Sequence, residues 1–243
     1  MDYGLQLYSI RDITENDLAG SLKQVAALGY RFVEFAGFFG HSAEEVRAML
    51  DACGLQVSGT HTGCGELTAD KIDETIAYHK TIGNTNIIIP GADFSTPEKL
   101  DATVDLINAA QKKLAEAGIA LGYHNHSHEF LPTPYGALIH KELETRTSVE
   151  FEIDTYWAYV ASEDPIALLE RLKDRVRVIH LKDGTKDGSG KALGEGTAPV
   201  AAVREYAIQN GLRMVVESET CDPTGIEEVG RCIAYLKKAD EAE

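Results

Sequence analysis

Along this chain, short runs of apolar residues alternate with longer segments in which apolar residues recur at three- and four-residue spacing. The first pattern marks a buried strand and the second an amphipathic helix. Residues 3–10 read as a strand, and 15–28 as a helix with Leu18, Leu22, Val25 and Leu28 on one face. Gly29 ends that helix, since glycine accepts the left-handed conformation just past a helix end. A strand over 32–35 follows, and Ser42 with Glu45 makes a capping-box pattern for a helix that stops at Gly54. The unit repeats: strand 56–60 leading to His61, helix 69–82, strand 86–90, a helix opened by Ser95, Pro97 and Glu98 and closed by Gly118, and strand 119–124. Strand 149–154, a helix begun by Asp164 and Pro165, strand 176–181, helix 199–210, strand 213–217 and a last helix from Asp222-Pro223 to about Lys238 complete the series. The polar tail, 237–243, is expected to fray.

Eight strands alternating with helices predict an α/β fold, a single (β/α)8 TIM barrel spanning residues 1–243 as one domain. No Pro/Ser-rich linker or charge block divides the chain, and its strands are continuously apolar, as strands covered on both faces tend to be. An open doubly wound sheet is the other arrangement such alternation permits, but no G-x-G-x-x-G follows the first strand. The glycines of 184–196 are too scattered for a phosphate loop. The balance of 39 acidic against 23 basic residues, net charge −16, opposes binding to nucleic acid or an anionic membrane. Four cysteines without C-x-x-C spacing read as reduced thiols. No leader pattern opens the chain and no apolar run approaches the ~18 residues that span a bilayer, so the expected location is cytoplasmic.

Chemistry gathers at the carboxyl ends of the strands. Val-Glu-Phe-Glu-Ile-Asp ends at Asp154, Val-Arg-Val-Ile-His at His180, and Met-Val-Val-Glu at Glu217. In a barrel these ends share one rim, where active sites of this architecture lie. Two carboxylates and an imidazole suit a borderline divalent cation. A fourth ligand is expected from the fifth strand, which ends Tyr-His-Asn-His-Ser-His-Glu-Phe; the candidates are His124, His126 and Glu129. His124 and His126 share one side of an extended strand and either could point inward, whereas His128 is expected to face solvent. Glu34, His61 and Lys182 lie at or near the ends of strands two, three and seven, and Trp157 and Phe38 are candidates for an apolar wall of the site.

Six runs carry a family resemblance: Gly4-Leu-Gln-Leu-Tyr-Ser-Ile-Arg11, Tyr123-His-Asn-His-Ser-His-Glu-Phe130, Glu152-Ile-Asp-Thr-Tyr-Trp157, His180-Leu-Lys-Asp183, Leu193-Gly-Glu-Gly196 and Val216-Glu-Ser-Glu219. Their order over nearly the whole chain resembles the xylose isomerase-like barrels, and within them the sugar phosphate isomerase/epimerase group with its ketose 3-epimerase and inosose dehydratase relatives. The resemblance implies one divalent ion per chain, Mn²⁺ first and then Co²⁺, Mg²⁺, Fe²⁺ or Zn²⁺, held by His124, Asp154, His180 and Glu217. It implies an isomerase or epimerase that acts on a keto-sugar or sugar phosphate by proton abstraction through an enediolate. Glu217, His126 and Lys182 are then the catalytic candidates, and Glu34, His61, Glu129 and Trp157 the substrate-binding ones. The expected partner is a small carbohydrate, with neither nucleic acid nor membrane; a homo-oligomer is compatible with the sequence. Two positions depart from the ketose 3-epimerase pattern: His124 stands where that pattern has Glu, and Trp157 where it has His. The alternatives are therefore a hydro-lyase or 3-keto-glycoside lyase on the same metal site, or a non-catalytic carbohydrate-binding subunit.

Overall fold

The computed structural model describes residues 1–242. Its centre is a closed barrel of eight parallel strands: β1 (Gly4–Gln6), β2 (Phe32–Phe35), β3 (Gln56–His61), β4 (Asn86–Ile89), β5 (Ala120–His124), β6 (Glu150–Asp154), β7 (Val176–Leu181) and β8 (Arg213–Val216). Each pairs with its sequence neighbours, and β8 closes on β1 through Gly4 opposite Val215 and Leu5 opposite Val216. Register decides what the rim can do. It sets His124 of β5 level with Glu152 of β6, and Asp154 level with His180 of β7. Val33, Phe35, Ile87, Ile89, Leu121 and Ile153 are buried with the surrounding helices, as strands covered on both faces require. Among the described residues no helix is long and apolar enough to cross a membrane.

Several boundaries differ from the sequence expectation for identifiable reasons. The first strand stops at Gln6; Leu7–Ile10 is a 3-10 turn whose first N–H groups are capped by Gln6, which accepts from Tyr8 N at 3.0 Å. Leu7 and Ile10 are both buried, and three-residue spacing of apolar groups is a helical sign that a short run hides. The helix Pro97–Glu116 is capped by Thr96, not Ser95, whose own N–H donates to Asp93. The helices Ile139–Arg146 and Thr155–Val160 were not anticipated. The last helix, Gly225–Asp240, runs past the point where fraying was expected. Asp240 is held by Tyr3 Oη at 2.7 Å, by the Met1 amino group at 3.0 Å and by Arg204. Glu243, the last residue of the expected polar tail, lies outside the described residues.

The loop after β7 is organised by one side chain. Asp183 Oδ1 accepts from Gly184 N (2.7 Å) and Ala198 N (3.1 Å), and its Oδ2 from Gly194 N (2.9 Å) and Gly196 N (3.0 Å). Three of the glycines that looked scattered, Gly184, Gly194 and Gly196, thus converge on one carboxylate. A Cβ at Gly196 would come within 2.2 Å of Asp183 Oδ1.

Candidate metal centre

The strand pleat turns alternate residues to the barrel axis. On β6 that period places Glu152 and Asp154 on one side, and just beyond β8 it does the same for Glu217 and Glu219. His124, Asp154, His180 and Glu217 each offer a nitrogen or oxygen, and the four atoms lie within 4.8 Å of one another. All four residues are buried. Asp154 has a double role: its Oδ1 accepts from Trp157 N at 2.8 Å and caps the helix Thr155–Val160. The cap fixes the carboxylate and leaves Oδ2 buried without a hydrogen-bond partner, as is His124 Nδ1. Buried polar atoms are almost always satisfied. Two orphans in one cluster of mixed imidazole and carboxylate donors fit a divalent cation, which would satisfy them.

Beneath this set lies a second layer that sequence reasoning found only in part. Glu34, at the end of β2, is fully buried; its Oε1 accepts from Gln6 Nε2 at 2.7 Å and from His180 Nε2 at 2.8 Å. Glu152 Oε2 meets His61 Nε2 at 3.0 Å and His180 Nε2 at 3.2 Å. His61, His124, Glu152 and His180 form a second group of donors within 4.8 Å of one another. Glu152 was absent from the expected site, although its position two residues before Asp154 on a strand was the available signal.

Electrostatics separates the groups. Burial disfavours the ionised carboxylate of Glu217, but Lys182 and then His180 outweigh it and hold Glu217 well below the usual range. Burial pushes Asp154 up to about 6, against the pull of Lys182. In the lower layer burial again comes first, with His180 keeping Glu34 ionised, while burial and the neighbouring Glu34 push Glu152 up to about 7. His61 loses solvation on burial, yet Glu152 and Glu34 push it up to about 9. His124 moves the other way: burial, then His180 and His61, hold it neutral, the form in which an imidazole offers a lone pair.

Of the remaining predicted residues, His61 and His126 line a cavity of about 440 Å³ whose wall also includes two of the four donors, His124 and Glu217, together with Tyr8 and Glu219. His126 is half-buried on its wall, and burial leaves its Nδ1 without a partner. Glu129 is wholly buried behind it, accepting from His126 N at 2.8 Å and Tyr123 Oη at 3.0 Å. His128 is exposed. Lys182 is buried; its Nζ lies 2.8 Å from Glu219 Oε2, 3.2 Å from Glu217 Oε2, and 4.8 Å from the ring centre of Trp157. Glu219, two residues beyond Glu217, was not among the expected site residues.

Fold and site together define a parallel barrel with a candidate divalent-metal centre at the carboxyl ends of its strands. The model of the xylose isomerase-like TIM barrel family matches residues 22–239, and the chain belongs to that family. A solved sugar phosphate isomerase/epimerase from Parabacteroides distasonis is similar at 26% identity with a TM-score of 0.84, over 98% of each chain. An inosose dehydratase from Geobacillus kaustophilus is 24% identical over 190 residues, 68% of this chain. The match spans 62% of that dehydratase, less than two thirds of its length. The structure of an L-ribulose 3-epimerase shares the fold, with a TM-score of 0.74 at 12% identity over 100% of this chain and 95% of that one.

Proposed function

We propose that this chain is a divalent-metal-dependent isomerase or epimerase of a keto-sugar, working by removal and return of a proton beside the carbonyl. The observation that carries the reading is the pair of unpartnered buried donors, Asp154 Oδ2 and His124 Nδ1, within a four-residue donor set of which His124 and Glu217 line a cavity. His124, Asp154, His180 and Glu217 would hold the ion. A divalent cation there would supply Lewis-acid polarisation of the carbonyl and charge to offset the negative charge that develops. Glu34 accepts from His180 Nε2, which keeps that ring's proton on the far nitrogen and turns Nδ1 toward Glu217.

His126 is the proton carrier. Its Nδ1 is buried toward Glu129 Oε1 at 3.8 Å, so Nε2 is the atom presented to the cavity. The nearby Glu129 carboxylate raises its basicity above the ordinary imidazole, against the effect of burial. Lys182 keeps its proton at Nζ: burial disfavours its charge, but Glu217, Asp154 and Glu219 more than compensate. Its role is a fixed positive charge and a hydrogen-bond donor beside the reacting oxygens. Return of the proton by the same imidazole to the neighbouring carbon gives isomerisation; epimerisation needs a second acid to protonate the opposite face, for which Lys182, protonated at Nζ, is the candidate.

A lyase is the second reading, favoured by His124 and Trp157 standing where the ketose 3-epimerase pattern has Glu and His. Elimination needs one base and one acid, not two opposed carboxylates. Product analysis separates the two. Elemental analysis should find about one divalent ion per chain, lost in Asp154→Ala and His180→Ala. Turnover of a keto-sugar in D₂O should place deuterium beside the carbonyl, and His126→Ala should abolish the exchange while retaining the ion. Full metal occupancy in both ligand variants would overturn the centre. Absence of solvent label together with a primary isotope effect on α-deuterated substrate, its deuterium retained at the neighbouring carbon, would replace proton transfer by hydride transfer, which breaks the same C–H bond.

A further inference from the structure

The segment that follows β5 carries three donors in the order His126, His128 and Glu129, the last two on one 3-10 turn. A nitrogen from each ring and a carboxylate oxygen lie within 4.8 Å of one another, and the cluster shares no residue with the four donors at the strand ends. Its anchor is Glu129, wholly buried and held at both oxygens. Oε2 accepts from His126 N at 2.8 Å, and Oε1 from Tyr123 Oη at 3.0 Å. Oε1 has a second lone pair, and both rings approach it. His128 Nε2 stands 3.2 Å from it and His126 Nδ1 3.8 Å.

Hydrogen bonding accounts for these contacts only in part. At 3.8 Å the His126 pair is too long for a hydrogen bond, and Nδ1 is buried without a partner. Such atoms are rare in folded chains. Ligands that each stand about 2.0–2.2 Å from one common ion are separated by distances of this size. Two imidazoles and a glutamate, with a fourth position open to water, are a donor set that suits Zn²⁺. The rings of His126 and His128 stack at 5.5 Å with 20° between their planes, so one must turn to bring its lone pair to the common point. His128 has room to do so, since its side chain is 65% exposed, and the same exposure gives an ion its way in.

An ion there would act on the residue that carries the proton. A neutral imidazole has one N–H and one lone pair. While Nδ1 faces Glu129 the proton stays on Nδ1, and the lone pair of Nε2 is the one presented to the cavity. Coordination claims the lone pair of Nδ1. The ring's single proton then sits on Nε2, and no lone pair is left there to take a proton from carbon. Mn²⁺ stands lowest in the first-row order of affinities and Zn²⁺ well above it. An outer site with three protein ligands would therefore hold zinc and release manganese, so manganese-loaded protein would still carry about one ion per chain.

We infer that His126, His128 and Glu129 form a second, outer zinc site whose occupation switches off His126 as proton carrier. The switch rests on the role given to His126 above; the site does not. Tag-free protein is dialysed against micromolar free Zn²⁺ held by a chelator buffer, and zinc per chain is counted by elemental analysis. Wild type should hold two ions, Asp154→Ala one, His128→Ala one and the double variant none, with circular dichroism unchanged. Long-range ¹⁵N–¹H spectra of histidine-labelled, zinc-loaded protein should show His126 still protonated at Nδ1 in His128→Ala, and at Nε2 alone in the wild type. A single zinc in the wild type, or two retained in His128→Ala, would overturn the outer site. The same His126 proton position in both proteins would overturn the switch. Failure of the four-donor centre would appear separately, as two ions in Asp154→Ala with one lost on adding His128→Ala, and that result would leave the outer site supported.

Discussion

Glu34 accepts from Gln6 and from His180, and its second oxygen is buried without a partner. It stands behind a ring that would hold the ion, so its effect on chemistry passes through the orientation and proton of His180. Glu34→Gln keeps the shape but replaces an acceptor-only carboxylate by an amide, which can present a donor to Nε2. Metal affinity should fall about 10–100-fold with the fold intact, read by competition with a chromogenic chelator and by circular dichroism. Unchanged affinity would show that His180 needs no such support. Glu152 teaches a related lesson. It was invisible as a site residue because a glutamate in a strand is equally consistent with solvent exposure, and only barrel closure brings it against His61 and His180.

Among the elements, the helix Ile139–Arg146 carries the clearest acid-sensitive contact. His140 stacks between Phe130 and Phe151, and Glu144 accepts from His140 Nδ1 at 2.8 Å and from Arg171. Burial opposes ionisation of Glu144, but His140 and Arg171 outweigh it and bring its pKa down to about 2. A carboxylate with a lowered folded-state pKa stabilises the fold above its ordinary value, and that contribution is lost as pH falls from about 4.5 toward 2. Glu144→Gln should cost on the order of 1–2 kcal/mol at pH 7, after allowance for solvent screening, and should flatten the acid limb of a urea-melt series. A parallel acid limb in both proteins would remove the contact from the account of stability. This helix, like Thr155–Val160, was concealed in the sequence. Its polar run has few apolar positions, and Leu138 at its start provides no capping side chain. Where glycine or a capping side chain punctuates the chain, as at Gly29, Ser42 with Glu45, Gly54 and Asp164, the boundaries were legible. The four expected donors come together because strand ends are predictable from apolar runs. Glu152 and Glu219 depend on packing between elements, which spacing along a chain does not record.

For the molecule as a whole, the concentration of carboxylates at one rim couples metal to stability. Two of the four donors are carboxylates, and Glu34, Glu152 and Glu219 lie within contact range of the set or of Lys182. A cation that binds only the folded chain stabilises it by mass action, about 2.7 kcal/mol when free metal is 100 times its dissociation constant. For a chain of this length that corresponds to a melting shift of roughly 5–10 °C. Calorimetric scans with and without EDTA, followed by re-addition of Mn²⁺, measure it; Asp154→Ala should show no shift. The net charge of −16 acts at the same scale. Abasic duplex DNA at ~0.1 M salt should give no gel shift, since too little positive surface is available to release counterions.

The four amide hydrogens gathered on Asp183 belong to residues 184, 194, 196 and 198, most of them outside regular secondary structure. Shared dependence on one carboxylate makes their opening a single event. In heavy water these amides should therefore exchange slowly and at a common rate, unlike the graded rates of an ordinary surface loop. Asp183→Asn should release all four together. Such a loop is ordered before any ligand arrives, so binding on the seventh strand's side of the rim would cost it little further disorder.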